Sequence, residues 1–272
     1  MSEKKKSRGS STRSGASDDD GNDPAWKDMG RSFVSEFWSC FLIGVFAAGA
    51  NVLTRQFTGH SLEPLSYGIG FGLMYIATAF PFHHAAWFVS PNVLIASWWS
   101  MKADEMSWGM QSHYFTLLVA QFGGWTVAAL AFWGLTGGNL DNAAALSNVR
   151  DFGTIFFYEV FAQTLMCQIY LMATACVDKS FRFIGMAALI TVFEGFFFNV
   201  TGGSGNFART FAYQLILGTW DWTVAGAVLL ATFVAPFVAV FLQNYVFREK
   251  VSRTHILPAE LSSILGGNGG KD

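Results

Sequence analysis

Six runs of mostly apolar residues, at roughly 33–54, 64–84, 113–134, 153–176, 183–200 and 223–247, decide what this chain can fold into. Each is close to the length of about 20 residues that a helix needs to cross a bilayer, and each carries few ionisable groups. In hydrocarbon every backbone N–H and C=O must find its partner inside the protein, so such runs become helices. Two further apolar segments, 91–100 and 206–217, are too short to cross. They follow the second and fifth runs, so the order is span, span, short segment, span, and then the same again. Three spans per half force the halves into opposite orientations. The short segments then enter from opposite faces and meet near the midplane, in an inverted repeat.

Charge supports this reading. Only 13% of the 272 residues are charged, against about 25% in a soluble domain. Residues 1–31, rich in Ser, Gly, Lys and Asp, cannot bury enough apolar surface to order themselves. The expected organisation is a disordered tail over 1–31, a membrane domain over 32–248 and a second tail over 249–272. About thirty polar residues ahead of the first apolar run do not read as a cleavable signal peptide, so that run is expected to stay as a membrane helix. Most of the 17 Lys and Arg fall on the side shared by the two termini, which places both termini in the cytoplasm. Cys40, Cys167 and Cys176 lie inside apolar runs and suggest neither a disulfide framework nor a metal site. Lys4, Lys5, Lys6 and Arg8 are balanced by Asp18, Asp19 and Asp20, so no nucleic-acid footprint is seen. No Ser-His-Asp set or phosphate loop points to an enzyme, and no cofactor is expected.

The stretch from Thr201 to Thr210 places glycines, Asn206 and Arg209 at membrane depth. Irregular backbone and a charge persist there only when buried in protein or lining a water-filled cavity. A small-residue turn running into a helix also starts a half-helix, whose open N–H groups face a pore. Glu36 and Glu159, each near the start of a span, are functional candidates by position, a proton relay being one option. His83 and His84 fit a vestibule lining, a pH switch or plain packing. Gly68, Gly70, Gly72, Gly123 and Gly124 permit close helix approach.

These residues resemble the aquaporin (major intrinsic protein) family over nearly all of 33–247. The Gly-rich turn running into Asn206-Phe207-Ala208-Arg209-Thr210-Phe211 is similar to the family's second signature, Asn-Pro-Ala-Arg-Ser-Phe, with Phe207 where Pro is usual. Glu36, Phe71-Gly72-Leu73, Gln121, Glu159 and Ala173-Thr174 match recurrent positions in the right order. The first signature is altered. Counted from Phe71 it falls on Pro91-Asn92-Val93, so either Pro and Asn are interchanged or the register has shifted by one and Asn92 is the pore amide. Pro is well tolerated in a first helical turn.

The resemblance implies an all-α membrane protein with six transmembrane helices and two re-entrant half-helices, assembled as a homotetramer in a lipid bilayer. It implies a passive channel for water or small uncharged solutes. Asn92 and Asn206 would offer amide donors at the two half-helix ends, whose dipoles oppose cations. Arg209, three residues after Asn206 and on the same helical face, would form a selectivity filter with Phe71, Glu194 and Gly203. Glu36 and Glu159 become struts for the re-entrant loops, and the symmetry of the two favours that role over a relay. Glu194 is unusual for the family: it faces Arg209 as an ion pair, or turns away to cap amides of the 201–205 turn. Two alternatives stay open, a non-conducting structural membrane protein of the same fold and an ion- or proton-coupled pathway using Glu194.

Overall fold

A computed structural model describes residues 24–48, 64–82, 88–101, 107–135, 137, 151–175, 180–196, 201, 205–218 and 220–247, and structural statements below concern these residues. They form α-helices and no strand. The helices are α1 (Pro24–Ile43), α2 (Pro64–Phe82), α3 (Pro91–Trp99), α4 (Trp108–Leu135), α5 (Phe152–Ala175), α6 (Ser180–Phe196), α7 (Phe207–Leu217) and α8 (Trp222–Phe241). π-helical turns at Gly44–Ala48 and Leu242–Phe247 extend α1 and α8. The two short helices, α3 with 9 residues and α7 with 11, are about 14 and 17 Å long at 1.5 Å per residue, roughly half a bilayer core.

One boundary moves. Residues 24–31, expected in the tail, are the first two turns of α1, which begins with Pro24 at a position where a missing N–H costs nothing. A helix projecting beyond the hydrocarbon keeps its backbone paired with itself, so polar side chains there do not stop it. The rest of the N-terminal tail, the C-terminal tail, His83, His84 and Gly203 lie outside the described residues.

The packing repeats across the two halves. Helix α1 packs on α4 as α5 packs on α8, α1 on α2 as α5 on α6, and each half-helix on the last span of the other half, α3 on α8 and α7 on α4. The two halves join mainly through α2 and α6. Gly68 and Gly72, one turn apart on α2, make that contact: a Cβ on Gly68 would strike the Thr191 carbonyl oxygen, and one on Gly72 the Thr191 side chain. Gly70, on another face, has open space beside it. Gly124 on α4 similarly lies against the Phe37 carbonyl and Cys40 of α1.

Among the described residues, α4, α5 and α8 contain segments long and apolar enough to cross a membrane, while α2 and α6 hold shorter apolar segments. Leu73, Phe115, Phe157 and Phe237 point outward with more than half of their surface exposed, as suits helices solvated by lipid. The chain is an integral membrane protein. Outside the apolar span, Asp151 accepts hydrogen bonds from the Thr154 N–H (2.7 Å) and hydroxyl (2.6 Å) and so caps α5. Those bonds hold its carboxyl below the usual carboxylate range.

Candidate functional site

The two half-helices meet N-terminus to N-terminus. Helix α7 is capped by Asn206, whose Oδ1 accepts from the Arg209 N–H at 3.3 Å. Helix α3 has Ser90 at the corresponding place, and the two caps match in backbone, although the Ser90 side chain makes no cap hydrogen bond. Ser90 (φ −141°) and Asn206 (φ −151°) are both extended, and their carbonyls accept from Leu94 and Thr210, each at 3.1 Å. Each follows a left-handed residue, Val89 (φ 63°) or Gly205 (φ 43°).

This equivalence sets the register of the first motif. Ser90 stands where Asn206 stands, Pro91 where Phe207 stands, and Asn92 where Ala208 stands. Pro91-Asn92-Val93 therefore sits one residue later in its helix than Asn206-Phe207-Ala208 does, contrary to the count from Phe71. The physical reason is that a Pro lacks the N–H of an ordinary residue and fits best at the first helical position. That leaves Ser90 in front of it, its hydroxyl bonded to Asn92 and not to a backbone N–H of the helix. Asn92 is fully buried inside the first turn, its Oδ1 accepting from the Ser90 hydroxyl. Its Nδ2 has no partner among the described residues. Phe207, at the place of the usual Pro, packs its ring with Phe122 and Phe211.

A reciprocal contact joins the two ends. Asn206 Nδ2 donates to the Val89 carbonyl at 2.8 Å, and the Ser90 hydroxyl lies 3.4 Å from the Gly205 carbonyl. Each cap thus reaches the carbonyl of the left-handed residue before the other cap. Gly205 takes that backbone conformation freely, but for branched Val89 it costs about 1–2 kcal/mol. Surrounding bonds hold Val89 there. Glu36 Oε1 accepts from the Val89 N–H at 2.5 Å and from Gln121 Nε2 at 2.7 Å, and Oε2 accepts from the Phe88 N–H at 2.9 Å. Trp125 Nε1 adds a 3.5 Å bond to the Val89 carbonyl. Glu159, in the matching place of the other half, accepts from Gln163 at 3.0 Å; residues 202–204 lie outside the described set.

Of the expected filter, the described members come together. Arg209 Nη1 donates to Glu194 Oε1 at 2.5 Å, Nη2 donates to the Tyr67 hydroxyl at 3.0 Å, and the guanidinium carbon lies 4.6 Å from the centre of the Phe71 ring. All four residues are buried. Glu194 therefore faces Arg209. A cavity runs from this group to Asn206 and Gly205, with Tyr75, Glu159 and Phe193 also on its walls. Neither Ser90 nor Asn92 lines it. On the other side of the junction the Phe88 ring lies against Tyr170 (5.5 Å) and Tyr114 (6.1 Å).

The X-ray structure of the aquaglyceroporin from Plasmodium falciparum matches with a TM-score of 0.64 at 17% identity, over 80% of this chain and 97% of that one. This chain has an aquaporin-like fold. No protein-family model and no curated protein matches its sequence, so the likeness is carried by backbone layout. Within that aquaporin-like layout, two site residues escaped the sequence reading. Tyr67 is one turn before Phe71 on α2, and that four-residue spacing puts both on one face. Ser90 directly precedes a Pro, the ordinary signal of a helix cap.

Proposed function

We propose that this protein is a passive membrane channel for water and small uncharged solutes. The observation that carries the reading is the pair of half-helix N-termini, joined across the molecule beside a cavity that leads to a buried arginine. Exposed N–H groups and two facing positive dipole ends favour neutral polar solutes and oppose cations at the junction. In this reading Asn206 is the amide at the cavity wall, and the Ser90 hydroxyl, given to Asn92, holds the first motif in place beside it. Arg209, Phe71, Glu194 and Gly203 form the filter, with Tyr67 as a further member. Glu36 and Glu159 brace the loops, His83 and His84 line the vestibule on the cytoplasmic side that carries both termini, and the assembly is a homotetramer.

One observation favours a second reading, a non-conducting structural protein of the same fold. Asn206 donates to Val89 rather than only to a passing solute. Stopped-flow volume changes of vesicles carrying the purified chain separate the two. The channel reading expects permeability to water, glycerol, urea or ammonia above that of empty vesicles; no increase for any of them refutes it. A current abolished by Glu194→Gln would move the assignment to an ion pathway.

A further inference from the structure

The geometry of the filter points to a solute class, on the basis of the channel reading above. We propose that Glu194 Oε2 is the recognition atom of the filter and selects neutral solutes with more hydrogen-bond donors than acceptors, such as urea, ammonia and small amides. The filter arginine spends donors on the protein: Nη1 bonds Glu194, Nη2 bonds Tyr67, and the face of the group covers Phe71. Glu194 presents the opposite chemistry. Its Oε1 is held by Arg209, but Oε2 is buried and has no partner among the described residues. The residue is 6% exposed and lies on the cavity wall among Phe71, Tyr75, Ile190 and Phe193.

A carboxylate oxygen in such a place gains from any solute donor that reaches it, because no described group donates to it. The charge of Arg209 at 2.5 Å cancels that of the carboxylate, and the N-terminus of α7 adds partial positive charge nearby. A cation is therefore not the favoured occupant; a neutral donor is. Urea brings four N–H donors with one carbonyl and ammonia three with one lone pair. Glycerol brings as many acceptor oxygens as donors, and only its donors suit a carboxylate oxygen. The filter accordingly ranks urea and ammonia above polyols.

The test compares wild type with Glu194→Gln, both full-length, monodisperse and reconstituted in vesicles, by stopped-flow with urea and glycerol. The substitution keeps size and can keep the bond from Arg209, while turning an amide N–H₂ toward the cavity. The inference expects the urea-to-glycerol permeability ratio to fall about tenfold, as for a lost charge-assisted hydrogen bond. A ratio unchanged within about twofold, with both solutes still conducted, overturns it and leaves the channel reading standing. No protein-dependent flux of any solute through wild type overturns the channel reading first. Should Glu194→Gln fail to reconstitute, wild type decides by itself. Protein-dependent permeability to acetamide must exceed that to dimethyl sulfoxide, a compact polar solute without donors, and equal enhancement of the two refutes the proposal.

Discussion

Removing the Glu36 carboxylate tests how the junction is held. Three buried donors end on it, the Phe88 N–H, the Val89 N–H and Gln121 Nε2, at 2.9, 2.5 and 2.7 Å. Each buried donor left without a partner costs about 1–3 kcal/mol. Glu36→Ala strands all three, for a loss of about 3–9 kcal/mol before relaxation, a large part of the roughly 5–15 kcal/mol that holds a typical domain folded. A water entering the vacated space recovers a fraction of this. Glu36→Gln is milder. Its oxygen can keep the bonds from Val89 and Gln121, but its N–H₂ confronts the Phe88 N–H, so one donor is stranded at about 1–3 kcal/mol. At roughly 2–4 °C per kcal/mol for a chain of this size, Glu36→Gln should melt about 2–12 °C below wild type, and Glu36→Ala lower still. The assay is thermal denaturation of detergent-purified protein followed by tryptophan fluorescence, with hydrogen exchange at residues 88 and 89 as a local readout. Melting of both variants together with wild type, with amide protection intact, would refute the reasoning that this carboxylate holds Val89 in its left-handed conformation.

Three further outcomes are expected. Gly72→Val should drive α2 from α6, because its Cβ meets Thr191, and should lower thermal stability by about 1–3 kcal/mol; Gly70→Val, with open space beside it, should not. Gly205→Ala, forced to a φ of 43°, should cost about 1–2 kcal/mol in a melting measurement. Either Arg209→Gln or Glu194→Ala leaves a buried charge unpaired and should cost about 3–5 kcal/mol. The double variant should recover part of that loss, and strict additivity of the two in a double-mutant cycle would contradict a direct ion pair.

Much of the architecture was legible because membrane solvation leaves the chain few choices. The apolar runs, their order and the two short segments emerge as helices α1 to α8 with shifts of a few residues, apart from the earlier start of α1 at Pro24. The spacing of Asn206 and Arg209 is local: a cap and the residue three positions on share one turn, and the bond between them follows from helix geometry. The first motif was harder to read, since a count from Phe71 assumes a fixed interval between two segments that nothing local to the motif fixes. Pro91 and Ser90 were the better markers, because a Pro at the first helical position after a Ser cap is a local rule that needs no counting.

The sequence by itself determined that this is a membrane-spanning helical repeat and where each half breaks, because apolar length and backbone pairing in lipid are properties of the segment alone. It also singled out Glu36, Asn206 and Arg209, polar groups too costly at that depth to be idle. Only the tertiary structure decided which cap faces which carbonyl, where Glu194 points and what surrounds Arg209. Those answers depend on contacts between residues 52, 117 and 142 positions apart, Glu36 with Phe88, Asn206 with Val89, and Arg209 with Tyr67. They are set by the rotation of one packed helix against another, and no periodicity within a single helix records that angle.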